Sequence, residues 1–157
     1  MESATTNRPS VKPPNGVMSA KVDANGRVKL PARFVEYWSQ LEDKRIFATL
    51  LNGMARMYLN GSWERNLDLL KPWPAKRKAM ALVAGMYGQD LEVDEMRRVT
   101  LPPLMRKELG LENQQIHIQF HDDVAMMYTD AQFAEQTAAA RMVVDEWFGE
   151  AEALGFV

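Results

Sequence analysis

The chain has 157 residues, which is enough for one compact domain or for two small units that share a core. Hydrophobic residues make up 46% and charged residues 25%, as in ordinary globular proteins, and no stretch reaches the roughly 18–20 consecutive apolar residues of a membrane span. The absence of cysteine excludes disulfides and thiolate sites, and a formal net charge of −2 does not by itself indicate a nucleic-acid partner.

Residues 1–15 are rich in proline, serine, threonine and asparagine and show no periodicity, so they are expected to form a flexible arm. They contain no apolar run, so no secretory signal is expected. Beyond the arm, basic residues dominate positions 17–35 and acidic residues dominate the chain after position 129. A nearly neutral chain can therefore present separate basic and acidic faces.

From residue 17 onward the chain repeats itself. The segment VDANGRVKLPARF (22–34) is matched by VDEMRRVTLPPLM (93–105) at an offset of 71, and the match resumes at an offset of 70. The pairs at the first offset are Val22/Val93, Asp23/Asp94, Arg27/Arg98, Val28/Val99, Leu30/Leu101 and Pro31/Pro102. The pairs at the second are Ile46/Ile116, Leu50/Phe120, Ala55/Ala125, Met57/Met127, Tyr58/Tyr128 and Trp63/Phe133. A register kept through both segments indicates an internal duplication.

Each copy begins with a strand, a tight turn and a second strand. The first turn contains Asn25 and Gly26, residues suited to positive φ. The second copy has Arg97 where the first has Gly26. The second loop is therefore expected either to do without positive φ or to have a different shape.

A short helix and a hairpin complete each copy. Pro31 and Pro102 mark the helix starts, and the hairpins are expected around residues 52–53 and 122–123. Asn60 and Asp130 are expected to cap the helices that follow, which are predicted over 62–70, 74–86 and 130–149. The spacing of the four tryptophans indicates helix core rather than stacking platforms for nucleic-acid bases. These are Trp38, Trp63, Trp73 and Trp147.

One copy is too small to bury a good core, so the two copies are expected to pack together with interleaved strands about a pseudo-twofold axis. The predicted organisation is an arm at 1–15, a first unit at 16–61, a helical connector at 62–88, a second unit at 89–130, and a C-terminal helix with an acidic tail at 131–157. The fold class is α+β, with a mainly β core and peripheral helices.

The pattern D-x-x-x-R, followed by alternating apolar residues, proline and a short helix, occurs at Asp23–Arg27 and again at Asp94–Arg98. This pattern resembles the SpoVT/AbrB-type swapped-hairpin DNA-binding domain, and two tandem copies resemble the MraZ family of bacterial transcriptional regulators. The resemblance covers about residues 16–149. It implies a tandem swapped-hairpin β-barrel that binds promoter direct repeats in double-stranded DNA as a ring-like homo-oligomer. It also implies a repressor of its own promoter and of a division and cell wall gene cluster, located in the cytoplasm at the nucleoid, without a cofactor, membrane or small-molecule substrate.

The arginines of the two motifs are the first candidates for DNA contact, because a guanidinium group matches guanine or phosphate with two parallel donors. The motif aspartates, Asp23 and Asp94, are expected to orient the turn and the arginine rather than to touch DNA. The expected DNA-contacting residues are Arg27, Lys21, Lys29, Arg33, Arg97, Arg98, Arg106 and Lys107. Acidic neighbours of the second turn favour the first copy as the stronger contact.

Simpler interpretations stand beside these. Arg27 and Arg98 could serve only as structural ion pairs with the motif aspartates, and the cluster Lys71, Lys76, Arg77 and Lys78 is best explained as a solvated helix face. His117 and His121 lie on a predicted strand without cysteine partners, so a metal site is not expected.

No nucleotide-binding or hydrolase motif is present, so an enzyme is not expected. Two other functions remain open. One is the swapped-hairpin antitoxin of a toxin–antitoxin pair, and the other is an oligomeric scaffold that has lost DNA binding.

Overall fold

The computed structural model describes residues 11–157, and the predicted arm therefore lies mostly outside the described residues. Residues 11–15 carry no helix or strand, but Val11 packs against the core. The first copy contains β1 (Val17–Lys21), β2 (Arg27–Lys29), α1 (Ala32–Ser39), β3 (Ile46–Leu51) and β4 (Met54–Tyr58). The helices α2 (Ser62–Asp68) and α3 (Pro74–Tyr87) follow. The second copy contains β5 (Gln89–Leu91), β6 (Arg98–Thr100), α4 (Pro103–Leu109), β7 (Gln115–His121) and β8 (Val124–Thr129), and the last helix is α5 (Asp130–Ala153).

The two copies exchange strands. A six-stranded antiparallel sheet has the order β1-β7-β8-β4-β3-β5. The first strand of each copy therefore pairs with the hairpin of the other copy, β1 with β7 and β5 with β3. The hairpins meet at the centre through β4 and β8. The second strands, β2 and β6, pair with each other in a separate two-stranded ribbon. The α+β class and the interleaving of the copies are confirmed by this topology.

The core is built from equivalent positions of the two copies. Apolar residues at alternating strand positions point to one side and are removed from water. Equivalent pairs that are both at most 4% exposed include Val28 with Val99, Leu30 with Leu101, Ile46 with Ile116, Ala55 with Ala125 and Met57 with Met127. The duplication seen in the sequence is therefore a duplication of core positions.

Both predicted helix caps are wrong by one residue. The N-cap of α2 is Gly61, at φ 70°, because the preceding Asn60 is already in the left-handed region at φ 55°. The N-cap of α5 is Thr129, whose hydroxyl accepts the backbone N–H of Gln132 while the Gln132 side chain accepts the Thr129 N–H. This reciprocal arrangement satisfies two backbone groups that Asp130, one residue further on, does not reach.

The tryptophans do not all lie in the core. Trp38 and Trp63 are half-buried, but Trp73 and Trp147 are 52% and 57% exposed. The prediction of helix core is wrong for these last two because α3 and α5 leave much of their apolar surface uncovered by the described chain. No described helix combines the length and apolar character needed to cross a membrane.

Candidate nucleic-acid interface

The β2–β6 ribbon brings the two sequence motifs together. Val28 and Val99 are opposite each other and are 1% exposed, so their side chains face the core. The neighbouring residues alternate to the other face. That outward face carries Arg27 opposite Thr100, and Lys29 opposite Arg98. Three of its four side chains are cationic and none is acidic.

Each motif aspartate holds its turn together through three hydrogen bonds. Asp23 accepts the backbone N–H of Asn25 at 2.8 Å and of Arg27 at 2.9 Å, and it accepts Arg27 Nε at 3.2 Å. The backbone N–H of Gly26 donates to the Asp23 carbonyl and that of Asp23 to the Arg27 carbonyl, which gives a type I turn followed by a left-handed residue. The bond from the Arg27 N–H contributes most to lowering the pKa of Asp23 below its ordinary value.

The second turn has the same shape, which corrects the expectation drawn from its missing glycine. Arg97 occupies the left-handed position at φ 62°, where the first turn has Gly26 at φ 79°. Asp94 accepts the N–H of Met96 and of Arg98 at 2.8 Å each, and Arg98 Nε at 2.9 Å. The N–H of Arg98 is again the main reason that the pKa of Asp94 is lowered. Arg97 therefore adopts a backbone conformation that is unfavourable for a non-glycine residue, and the second turn has the same shape as the first.

Both motif arginines use Nε for the ion pair, and their terminal nitrogens form no hydrogen bond with the described residues. The side chains are 39% exposed for Arg27 and 28% for Arg98. The ion pair therefore engages Nε of each guanidinium and leaves its two terminal nitrogens without a hydrogen-bond partner in the described chain. The sequence analysis treats a structural ion pair and DNA contact as alternative roles of the two arginines. Because the ion pair uses only Nε, one arginine can have both roles.

Arg106 has a different environment. Its side chain is only 15% exposed, and Nη1 donates to Glu112 Oε1 at 3.1 Å. The guanidinium and Cδ lie so close to Gly26 that a Cβ there would be 2.0–2.4 Å away from them. The Nε atom is buried with no hydrogen-bond partner in the described chain. Arg106 therefore packs against the first turn, and its guanidinium is largely buried rather than available to a ligand.

The remaining predicted DNA-contacting residues are exposed, but they lie outside the outward face of the ribbon. Lys21 ends β1 opposite Gln115, and Lys107 is exposed on α4. Arg33 donates from Nη1 to the Asn15 carbonyl at 2.7 Å. Arg97 is exposed at the end of the ribbon, where its carbonyl accepts the N–H of Leu30.

The second turn borders an acidic groove of about 460 Å³. Its lining residues include Asp90, Glu92 and Asp94 as well as Arg98 and Thr100. These carboxylates lower the positive potential beside Arg98. They would repel the phosphates of a nucleic acid approaching from that side.

Two functional features were not anticipated. Thr100 lies on the cationic face beside Arg27, and the duplication could have indicated it because it occupies the position of Lys29 in the other copy. The contact between Arg106 and Gly26 joins residues 80 positions apart. No local pattern indicates such a contact.

Among the described residues there is no group of three or more histidine, aspartate and glutamate side chains that could hold a metal ion. His117 instead stacks on Phe133 with ring centroids 4.4 Å apart, and its Nε2 lies 2.6 Å from Asp130 Oδ1. The pair connects β7 to the first turn of α5. His121 is exposed at the end of β7.

Comparison with known proteins shows which proteins this chain is similar to. No protein-family model matches the chain. A protein of Koribacter versatilis named "Transcriptional regulator MraZ" is 35% identical over 92 residues, which cover 55% of this chain and 63% of the relative. Proteins with the same name from Marinomonas sp. and Hydrogenovibrio crunogenus are 33% and 29% identical, covering 59% and 64% of this chain and 64% and 70% of the relatives.

The matches to the Koribacter and Marinomonas relatives thus span less than two thirds of those proteins' own length. The names of the relatives describe regulators and not enzymes, which agrees with the absence of a catalytic motif from the sequence. Several relatives carry the same name, so the chain, with two D-x-x-x-R turns on one ribbon, is similar to proteins named transcriptional regulator MraZ.

Proposed function

We propose that this protein is a DNA-binding transcriptional regulator and that the outward face of the β2–β6 ribbon is its DNA-contacting surface. The observation that carries the proposal is the pairing of β2 with β6, which places Arg27, Lys29 and Arg98 on one face with no acid among its four side chains. Proteins that neutralise DNA phosphates need such a local concentration of cations even when their net charge is slightly negative.

The shape of the ribbon suits this role. A two-stranded ribbon fits the major groove of B-DNA, which is about 12 Å wide. Because each arginine pairs with its aspartate through Nε, the terminal nitrogens remain for guanine O6 and N7 or for a phosphate. Lys29 provides a point charge for a phosphate between the two arginines.

The two arginines are expected to contribute unequally. Arg27 is the more exposed, and Arg98 faces the acidic groove formed with Asp90 and Glu92. We therefore assign the stronger contact to the first copy.

The finer parts of the proposal rest on the family resemblance. The strand exchange supports the tandem swapped-hairpin barrel that the resemblance implies. On the same basis we propose a homo-oligomer, ring-like, that binds direct repeats in its own promoter, represses a division and cell wall gene cluster, and acts at the nucleoid in the cytoplasm. Several weak contacts to spaced repeats would then add up, since later contacts within one assembly are effectively intramolecular.

The test is retardation of the DNA upstream of the protein's own gene in a gel, with Arg27→Ala, Arg98→Ala and the matched control Arg45→Ala. The Arg45 side chain is 68% exposed and pairs with Asp43 and Glu64, so its loss changes the net charge equally without touching the ribbon. We expect Arg27→Ala to weaken specific binding about 10- to 100-fold, Arg98→Ala to weaken it less, and the control to have little effect. Lys29→Ala should weaken binding to all sequences alike and reduce the dependence on salt by about one counterion.

One further function has an observation in its favour. Each motif arginine is already paired with an aspartate of its own turn. The two arginines could therefore serve only to stabilise the fold of an oligomeric scaffold that does not bind DNA. Thermal unfolding of the same variants separates the two functions. A scaffold predicts that Arg27→Ala lowers the melting temperature and leaves any retardation unchanged, whereas the DNA-contacting role predicts the reverse.

A further inference from the structure

The helix α5 extends beyond the sheet that it packs on. Its 24 residues span about 36 Å, and none of them is fully buried. Near its start, Phe133 packs against His117 and Tyr128 of the sheet. Further along, Val144, Trp147 and Phe148 fall on the continuation of that same helix face and are 51%, 57% and 41% exposed. A stripe of this kind indicates a partner that the described chain does not supply.

The helix α3 is apolar on both of its sides. Its inner side carries Ala84, which is buried and whose carbonyl accepts the hydroxyl of Thr49. Its outer side carries Leu82, Val83 and Met86, with 73%, 42% and 57% of their surface exposed. These apolar side chains are not covered by the described chain, so the outer side of α3 also indicates a partner.

The charges around these two surfaces are opposite. Residues 71–88 contain four cations and no acid, whereas residues 142–157 contain four acids and no cation. Lys76 and Lys78 flank the outer side of α3 by helical spacing. The acids of α5 flank its stripe on both sides in the same way, and they are Asp145, Glu146, Glu150 and Glu152. Like charges would oppose the pairing of α3 with α3 or of α5 with α5.

We propose that the outer side of α3 in one copy packs against the C-terminal half of α5 in a second copy. This inference specifies the contact of the homo-oligomer that belongs to the proposed function. The two surfaces come from different places in the fold, because α3 packs against β3 and α4 whereas α5 packs against β7 and β8. Such a contact is head-to-tail, so every copy offers one donor and one acceptor surface, and repetition closes a ring or extends a filament.

The test uses two variants that each remove one half of the contact, Leu82→Asp on α3 and Trp147→Asp on α5, with sedimentation velocity as the measurement. Each variant alone should be a monomer, since its remaining surface has no partner of the right kind. An equal mixture should form dimers and nothing larger, because only one intact α3 surface and one intact α5 surface can meet. The control is Met142→Asp, at a residue 81% exposed on the opposite side of α5, which should assemble like the unmodified protein.

Three results would overturn this contact: an unmodified protein that is monomeric, a variant that keeps the full assembly, or Leu82→Asp protein that dimerises by itself through α5. A second pair guards against misfolding of the aspartate variants. Lys76→Glu/Lys78→Glu and Glu146→Lys/Glu150→Lys should each weaken assembly at least tenfold, and mixing them should restore it. Repulsion that persists in the mixture would count against the contact.

The contact between α3 and α5 can be tested separately from the DNA-contacting face of the ribbon. Arg27→Ala should retain the full assembly while losing specific DNA retardation. If the interface variants still assemble while Arg27→Ala loses DNA binding, the α3–α5 contact is wrong and the proposed function stands. If the interface variants behave as expected and Arg27→Ala binds DNA normally, the reverse holds.

Discussion

Replacing Gly26 with alanine tests whether Arg106 supports the first turn. Gly26 is at φ 79°, so any side chain there carries a backbone cost of about 1–2 kcal/mol. The added Cβ would also lie 2.0 Å from Arg106 Nη1 and 2.4 Å from its Cδ. The Arg106 side chain is only 15% exposed, so it has little room to move away from the added methyl group. Moving it would break its hydrogen bond with Glu112. Losing that charged hydrogen bond adds about 1–2 kcal/mol.

Gly53→Ala is the matched control. Gly53 has nearly the same backbone, at φ 74°, but beyond its chain neighbours no described heavy atom lies within 4 Å of the position that an added Cβ would take. Urea unfolding should therefore show a loss of about 1–2 kcal/mol for Gly53→Ala and about 2–4 kcal/mol for Gly26→Ala. Combining Gly26→Ala with Arg106→Ala should remove the collision, so the double variant should be about 1–2 kcal/mol more stable than the sum of the single losses predicts.

Two results would refute this reasoning. One is an equal loss of stability for the two glycine variants, which would show that the backbone alone matters. The other is additivity of Gly26→Ala and Arg106→Ala within about 0.5 kcal/mol, which would show that the two residues do not contact each other in solution.

Three further predictions concern stability. The pKa of Asp23 and that of Asp94 are lowered from 3.8 in the folded state, so their stabilising effect is present above about pH 4 and is lost as the pH falls through the lowered values. Asp23→Asn/Asp94→Asn should therefore lower stability at pH 7 and flatten the acid limb of a pH–stability curve, and an unchanged acid limb would contradict the assignment. The Tyr37 hydroxyl donates to Asp123, and burial, as the largest cause, raises the pKa of Tyr37, so Tyr37→Phe should cost about 1–2 kcal/mol in urea unfolding without a new pH dependence near neutrality. Thr129→Ala should cost about 1 kcal/mol by the same measurement, because it removes the cap of α5, and a neutral effect would mean that the cap is dispensable.

The local elements of this fold could be predicted from the sequence because their determinants are near neighbours in the chain. The alternation of apolar residues defined the strands, and the 3.6-residue period defined the helices. The contact of Asp23 with Arg27 spans only four residues within one turn, so the motif and its orienting bond follow from local chemistry. The duplication indicated which positions share a role, and the burial of Val28 with Val99 agrees with it.

Other features could not be predicted from the sequence. A local pattern indicates which side of a strand or helix faces the core, but it does not indicate which other strand or helix packs against it. Alternation shows that Arg27 and Arg98 face away from the core, but only the tertiary structure shows that their strands pair with each other. The exposure of Trp147 likewise depends on where α5 leaves the sheet, which its own sequence does not encode.

By itself the sequence determined the two copies, their turns and the residues that the turns present, because backbone preferences and short hydrogen bonds act within a few residues. The tertiary structure alone decided that both arginines share one ribbon and that Arg106 supports Gly26. Contacts of this kind join residues about 70–80 positions apart, and they arise only when two copies bury their apolar faces together.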